Sequence, residues 1–202
     1  MSISLLRNDL TTIADLIPQN ASVLDLACGD GDLLKYLQED RGVTGYGLEN
    51  SPEQIQACIK NGVNVVEKTL DRTLSEFADR SFDVVVMTQA LQVMSHPDVI
   101  LEEMLRVGRS CVVTFPNFGN WRARLYLALA GKMPVTKKLP YQWYDTPNIH
   151  FCTVNDFESL CISKGYRILE RTMLADQTIN RQFKNIAPNL FSETAVYQLS
   201  AD

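Results

Sequence analysis

The stretch Val23-Leu24-Asp25-Leu26-Ala27-Cys28-Gly29-Asp30-Gly31 reads as a buried strand that runs into a glycine turn and opens a helix. An apolar run this short, followed at once by glycines and then by Leu33, Leu34 and Leu37 at helical spacing, is how an α/β sheet begins. Glycine at the turn lets backbone approach a neighbour or a bound molecule closely. An acidic residue, Glu49, closes the next apolar segment, Thr44 to Glu49, eighteen positions after Gly31.

Outward from this turn the same alternation continues. Leu6, Leu10, Ile13 and Ile17 predict an amphipathic lead helix that stops at Pro18. Ser51-Pro52-Glu53-Gln54 predicts a helix start, with Ser51 as N-cap, Pro52 at the first helical position and Gln54 completing a capping box. Ile55, Cys58 and Ile59 line that helix and Gly62 closes it. Val63 to Val66 and Phe82 to Met87 follow as strands, the latter apolar on consecutive positions, as in parallel strands covered on both faces. Pro97 to Val107 is a helix and Cys111 to Phe115 a fifth strand. Thr153, with Asp156 three positions on, caps a helix that ends at Gly165. Tyr166 to Met173 and Ala195 to Leu199 are late strands with no clear crossover helix between them. The expected fold is therefore α/β, a doubly wound, mostly parallel sheet with helices on both faces, in one domain over residues 1–202.

One segment breaks the pattern. From Phe115 to Phe151 the chain holds four prolines together with Trp121, Tyr126, Tyr141, Trp143 and Tyr144, interleaved with Arg122, Arg124, Lys132, Lys137 and Lys138. Such a long irregular connection predicts an aromatic lid or insertion over about 116–151, at the carboxyl edge of the sheet where α/β folds take ligands.

Composition narrows the function classes. The 202 residues, 46% of them hydrophobic, suit one globular domain, and the net charge of −5 argues against a nucleic-acid partner. No apolar run is long enough for a membrane span, and the first residues interleave charges in a way unlike a signal peptide. Five cysteines, an odd number with no C-x-x-C pair, predict reduced thiols in a cytoplasmic protein, without disulfide framework or metal site.

The turn discriminates between cofactors. A dinucleotide fingerprint needs a third glycine where this chain has Leu34, and Asp30 and Asp32 would repel a pyrophosphate. S-adenosylmethionine (SAM) carries a sulfonium and an ammonium instead, which carboxylates tolerate. The spacing Asp25-x-Ala27-x-Gly29-x-Gly31 resembles the first motif of class I SAM-dependent methyltransferases, with Ala27 where the pattern usually has glycine. That resemblance implies a Rossmann-like, seven-stranded sheet binding SAM or S-adenosylhomocysteine. Asp25 would orient the ammonium, Gly29 and Gly31 would lie against the cofactor, and Glu49 would take the ribose hydroxyls. Asp71, after the third strand, would reach the adenine amino group or else stand as a solvated loop aspartate, and Gln89, at the end of the fourth strand, joins the expected cofactor-binding residues.

Chemistry beyond binding is sparsely marked. No G-x-S-x-G elbow, P-loop or H-E-x-x-H motif occurs, and the strand-end motif of amide and base N-methyltransferases is absent after Met87. Of the two histidines, His96 opens a helix and His150 stands near the lip of the lid. His150 is the candidate general base, weighed against a structural role tying lid to sheet. Methyl transfer to an electron-rich acceptor needs proximity more than a base, so activity is not excluded.

The segments Leu24–Gly31, Gln89–Leu91, Glu103–Arg109, Phe115–Gly119, Met133–Thr136 and above all Leu139–His150 resemble the methionine biosynthesis protein W (MetW) family. The resemblance implies a class I methyltransferase fold and an association with homoserine O-acyltransferase, early in methionine synthesis. Two functions stay open: a SAM-binding companion of that acyltransferase, docking through the aromatic segment, or a methyltransferase acting on a small metabolite, with Tyr141, Trp143, Tyr144 and His150 shaping the acceptor pocket.

Overall fold

The computed structural model describes residues 8–70, 74–136, 139–175 and 178–201. Seven strands form one sheet in the order β3-β2-β1-β4-β5-β7-β6. They are β1 (Ser22–Leu26), β2 (Thr44–Glu49), β3 (Val65–Glu67), β4 (Phe82–Thr88), β5 (Gly108–Pro116), β6 (Arg167–Leu174) and β7 (Thr194–Ser200). All neighbouring pairs from β3 to β5 are parallel; β7 runs antiparallel to both β5 and β6. The sheet is thus mixed through one reversed strand. Among the described residues two short helices, α7 (Thr178–Phe183) and α8 (Pro188–Phe191), separate β6 from β7, and antiparallel neighbours need no long crossover.

Strand alternation explains the two layers of core. Val23, Val84, Val86, Val112 and Val196 face α1 (Asn8–Asp15), α2 (Asp32–Arg41) and α3 (Pro52–Asn61). Leu24, Leu26, Val85, Met87, Phe115 and Tyr197 face α4 (Pro97–Val107) and α6 (Val154–Lys164). With both faces covered, the central strands must be apolar on consecutive positions, as Val84-Val85-Val86-Met87 is. Phe115, Phe157 and Tyr197 join β5, α6 and β7 through ring centroids 4.7–6.0 Å apart. The Tyr197 hydroxyl donates to Glu158 at 2.8 Å, so its polar end is satisfied inside the core.

Several local expectations need correction. Ser51 is the N-cap of α3, but its side chain makes no cap bond, and Gln54 closes no box. The Ser51 and Asn50 N–H groups donate instead to the Glu49 carboxylate, so the reciprocal partner is already engaged. β3 starts at Val65 rather than Val63, because the Val63 N–H still closes α3 on the Cys58 carbonyl. The 116–151 segment contains a ten-residue helix, α5 (Trp121–Ala130), whose N-cap Asn120 accepts from the Arg122 N–H. At α6 the Thr153–Asp156 capping box forms in both directions. Leu6 and Asp71 lie outside the described residues. Among the described residues no helix is long and apolar enough to cross a membrane, and no cluster of three metal-ligating side chains occurs.

Two substitutions separate core from cap. Phe157→Ala empties the centre of the ring cluster and is expected to cost about 3–5 kcal/mol. Thr153→Ala loses one cap and is expected to cost about 1 kcal/mol. Urea unfolding midpoints check both, and a Phe157→Ala midpoint close to that of Thr153→Ala would contradict the packing described.

Candidate cofactor site

The carboxyl ends of β2, β1 and β4 lie side by side, and the chain winds outward from β1 before returning to β4. That makes the β1–β4 boundary the topological switch point of the sheet, where open α/β sheets leave a crevice. The turn from β1 to α2 lies at this boundary. Three of its residues take left-handed backbone: Ala27 (φ 55°), Gly29 (φ 59°) and Gly31 (φ 79°).

The two glycines serve different needs. A side chain at Gly31 would stand 3.1 Å from the Cys58 sulfur and 3.2 Å from Val63, so this position is glycine to let α3 close in. A side chain at Gly29 would meet nothing within 4 Å, so its backbone faces open space. Ala27 adopts the glycine-like conformation at a cost of about 1–2 kcal/mol, and packs against the core layer of α4 and α6.

Glu49 pins this turn. Only 8% exposed, it accepts the Gly29 N–H on one carboxylate oxygen at 2.9 Å. Its other oxygen accepts from Asn50 and Ser51 at 2.9 and 3.0 Å. One side chain therefore joins the β1 turn, the end of β2 and the start of α3. Asp25, 1% exposed, lies at the carboxyl half of β1 opposite Gly47 and Val86.

Two thiols flank the same turn. The Cys28 and Cys58 sulfurs are 3.8 Å apart, and the Cys58 thiol donates to the Gly29 carbonyl at 3.1 Å. Burial, followed by the nearby Asp25 carboxylate, pushes the Cys28 thiol up. Burial does the same at Cys58. Both are thus protonated packing groups, and all five cysteines are free.

Gln89 follows β4 with φ 54°, and its side-chain amide donates to Thr114 Oγ1 at 3.2 Å. Its carbonyl accepts from the Gln92 side chain at 2.7 Å. The Gln92 carbonyl in turn accepts the backbone N–H groups of Ile149 and His150 at 2.9 and 3.0 Å. A short hydrogen-bonded path thus leads from the crevice edge to the returning end of the aromatic segment. Nothing in the sequence marked Gln92 for this, because its partners at both ends are backbone groups.

The aromatic residues read as a lid stand in solvent. Trp143 is 74% and Tyr144 71% exposed, their rings set edge to face at 5.7 Å; Tyr141 and His150 are exposed as well. What the sequence did not reveal is the anchor beneath them. The Asn117 amide donates to the Ser192 carbonyl and hydroxyl at 3.0 and 2.9 Å, and its carbonyl oxygen accepts from Gly119. Asn120 donates to the same Ser192 carbonyl, and the Trp121 indole donates to Asn180. Two asparagines at i, i+3 just past an apolar strand are the one sequence signal from which this network could have been found.

The residues present fit a nucleoside cofactor of the SAM kind. Open space at Gly29, a buried carboxylate at the end of β2 and a second in β1 form a cradle with no phosphate-binding character. The structure is similar to a SAM-dependent methyltransferase from Archaeoglobus fulgidus, with a TM-score of 0.70 at 15% identity, covering 98% of this chain and 94% of that one. In sequence, the chain is 32% identical over 197 residues to a bifunctional methionine biosynthesis protein MetXA/MetW of Rhodopirellula baltica. That match covers 93% of this chain and 32% of the relative, so the chain spans about a third of the relative's length. It is 30% identical over 133 residues to a 2-methyl-6-phytyl-1,4-hydroquinone methyltransferase of Synechocystis, covering 64% of this chain and 42% of that protein. The seven-stranded sheet is the class I SAM-dependent methyltransferase fold. A family model described as methionine biosynthesis protein MetW matches residues 7–199, and with nearly the whole length accounted for, the chain belongs to that family.

Proposed function

We propose that this chain is a SAM-binding companion of homoserine O-acyltransferase, acting in methionine biosynthesis. The observation that carries this reading is the Rhodopirellula relative, in whose name MetW is joined with MetXA as one bifunctional protein. Joining two modules in one protein raises the local concentration at which their surfaces can meet, which supports a pairing of the same two modules here.

The cofactor half of the reading rests on the crevice. Glu49 would hold the ribose, exchanging part of its present backbone bonding for the hydroxyls, and Asp25 would orient the ammonium. Gly29 would lie against the cofactor, with Ala27 and Gly31 shaping the turn, Gln89 the β4 side, and Asp71 the adenine end. SAM supplies an electrophilic methyl group on a sulfonium. In a companion the same molecule serves as an effector. The path from Gln89 through Gln92 to Ile149 and His150 supports communication between crevice and aromatic segment. A second reading, a methyltransferase for a small metabolite, is favoured by the partial likeness to the Synechocystis enzyme. It would use Tyr141, Trp143, Tyr144 and His150 around the acceptor, and it requires the exposed aromatic segment to fold over the crevice.

Calorimetry tests the crevice. S-adenosylhomocysteine is expected to bind the wild-type chain with one equivalent, and Glu49→Ala to weaken it by about 10- to 100-fold, the loss of a hydrogen bond to a charged group. Ala27→Gly is expected to leave that affinity within about threefold, because Ala27 already takes the glycine conformation. An unchanged affinity in Glu49→Ala would remove Glu49 from the ribose. Sedimentation of the chain mixed with the homoserine O-acyltransferase of its own organism tests the companion role. A faster-moving complex is expected, and independent sedimentation at micromolar concentrations would overturn it.

A further inference from the structure

The chain's charge is divided unevenly. Residues 116–151 carry five of the 19 lysines and arginines and one of the 24 acids, a net +4, while the remaining 166 residues hold −9. Two of those five, Lys137 and Lys138, lie outside the described residues.

The same segment exposes the apolar side chains a folded chain ordinarily covers. Helix α5 buries only Ala123, leaving Leu125 and Tyr126 about half exposed and Leu129 79% exposed. The returning segment adds Trp143 and Tyr144 in solvent, and Trp143 lines a groove together with Pro134, Leu139 and Phe151. Scattered exposed apolar residues are ordinary, but leucine, tryptophan and tyrosine gathered along one excursion mark a contact surface. The excursion is also held firmly at its base. Asn117 and Asn120 bond to Ser192, Trp121 to Asn180, and Phe118 packs on Phe151 in a tilted pair with ring centroids 4.7 Å apart. A surface fixed before contact loses less entropy on binding than a loose one.

We propose that α5 and the returning segment 139–151 form a protein-docking face for a partner surface that is acidic at its rim and offers apolar pockets for Trp143 and Leu129. This rests on the companion reading and adds the surface and its chemistry. Three observations select a protein. Trp and Tyr with flanking Arg are the side chains that dominate protein interfaces. The described cations beside the face, Arg122, Arg124 and Lys132, are fewer than the basic cluster that marks an anionic-lipid site, which opposes the membrane alternative. The Rhodopirellula relative, in which a like region is joined to a second one, supplies a partner protein rather than a lipid. Basic residues around an apolar centre steer an acidic partner to the face and set its register.

The test measures affinity of the intact chain for the acyltransferase of its own organism by interferometry, at low and physiological salt. Trp143→Ala and Leu129→Glu are expected to weaken binding at least about thirtyfold, and Arg122→Glu to weaken it mainly at low salt. Ile162→Ala, an exposed apolar change on α6, is expected to leave it unchanged. If the wild type binds and the three face variants bind equally well, the face is wrong while the companion reading stands. If the wild type does not bind at all, the companion reading fails and the face falls with it. Two controls exclude other occupants. Wild-type chain pelleting with phosphatidylglycerol vesicles through Leu129, or self-associating at micromolar concentration through Trp143, with acyltransferase binding untouched, would overturn the proposal.

Discussion

Glu49 is the side chain on which the crevice depends. Its carboxylate gathers the N–H groups of Gly29, Asn50 and Ser51, which belong to two different strand-to-helix connections. Backbone donors at such turns have no partner within their own elements and would otherwise need water. A single buried carboxylate answers all three, and that fixes the left-handed turn, the start of α3 and the open side of Gly29 relative to one another. A carboxylate has about four acceptor positions, so the same group retains capacity for an incoming hydroxyl. The architecture of the crevice thus rests on one atom pair at the end of β2.

The layered sheet was legible in the sequence because its signals are local. Consecutive apolar residues at Val84–Met87, the Thr153–Asp156 pair and the glycines after Asn61 and Lys164 each act within a few positions. The misreadings came from competition between local signals and tertiary ones. Ser51 and Gln54 have the composition of a capping box, yet Glu49 reaches the donors first. The 116–151 segment reads as a loop because its prolines and aromatics have no periodicity, while Asn120 and a run of good helix formers nonetheless build α5. The turn and Glu49 were visible as residues; the Gln89–Gln92–Ile149 path and the asparagine network were not, since they rest on backbone carbonyls and on strands distant in the chain.

The two halves of the molecule have opposite characters. The crevice side is acidic and tightly pinned, with protonated thiols packed beneath the turn. The excursion beyond β5 is basic, aromatic and exposed, though firmly rooted at β5, α7 and α8. A methyltransferase fold is a scaffold on which many chemistries are built, and membership in it does not by itself assign methyl transfer. Among the described residues, Tyr141, Trp143, Tyr144 and His150 stand in solvent, while Glu49 and Gly29 are held together at the crevice.

The most direct measurement is the rate of homoserine O-acyl transfer by the acyltransferase of the same organism as this chain is titrated in, with and without S-adenosylhomocysteine. The account predicts a saturable change in rate that reaches its plateau near one chain per acyltransferase subunit and shifts when the cofactor is added. A flat response over the whole titration, with both proteins folded, would contradict it.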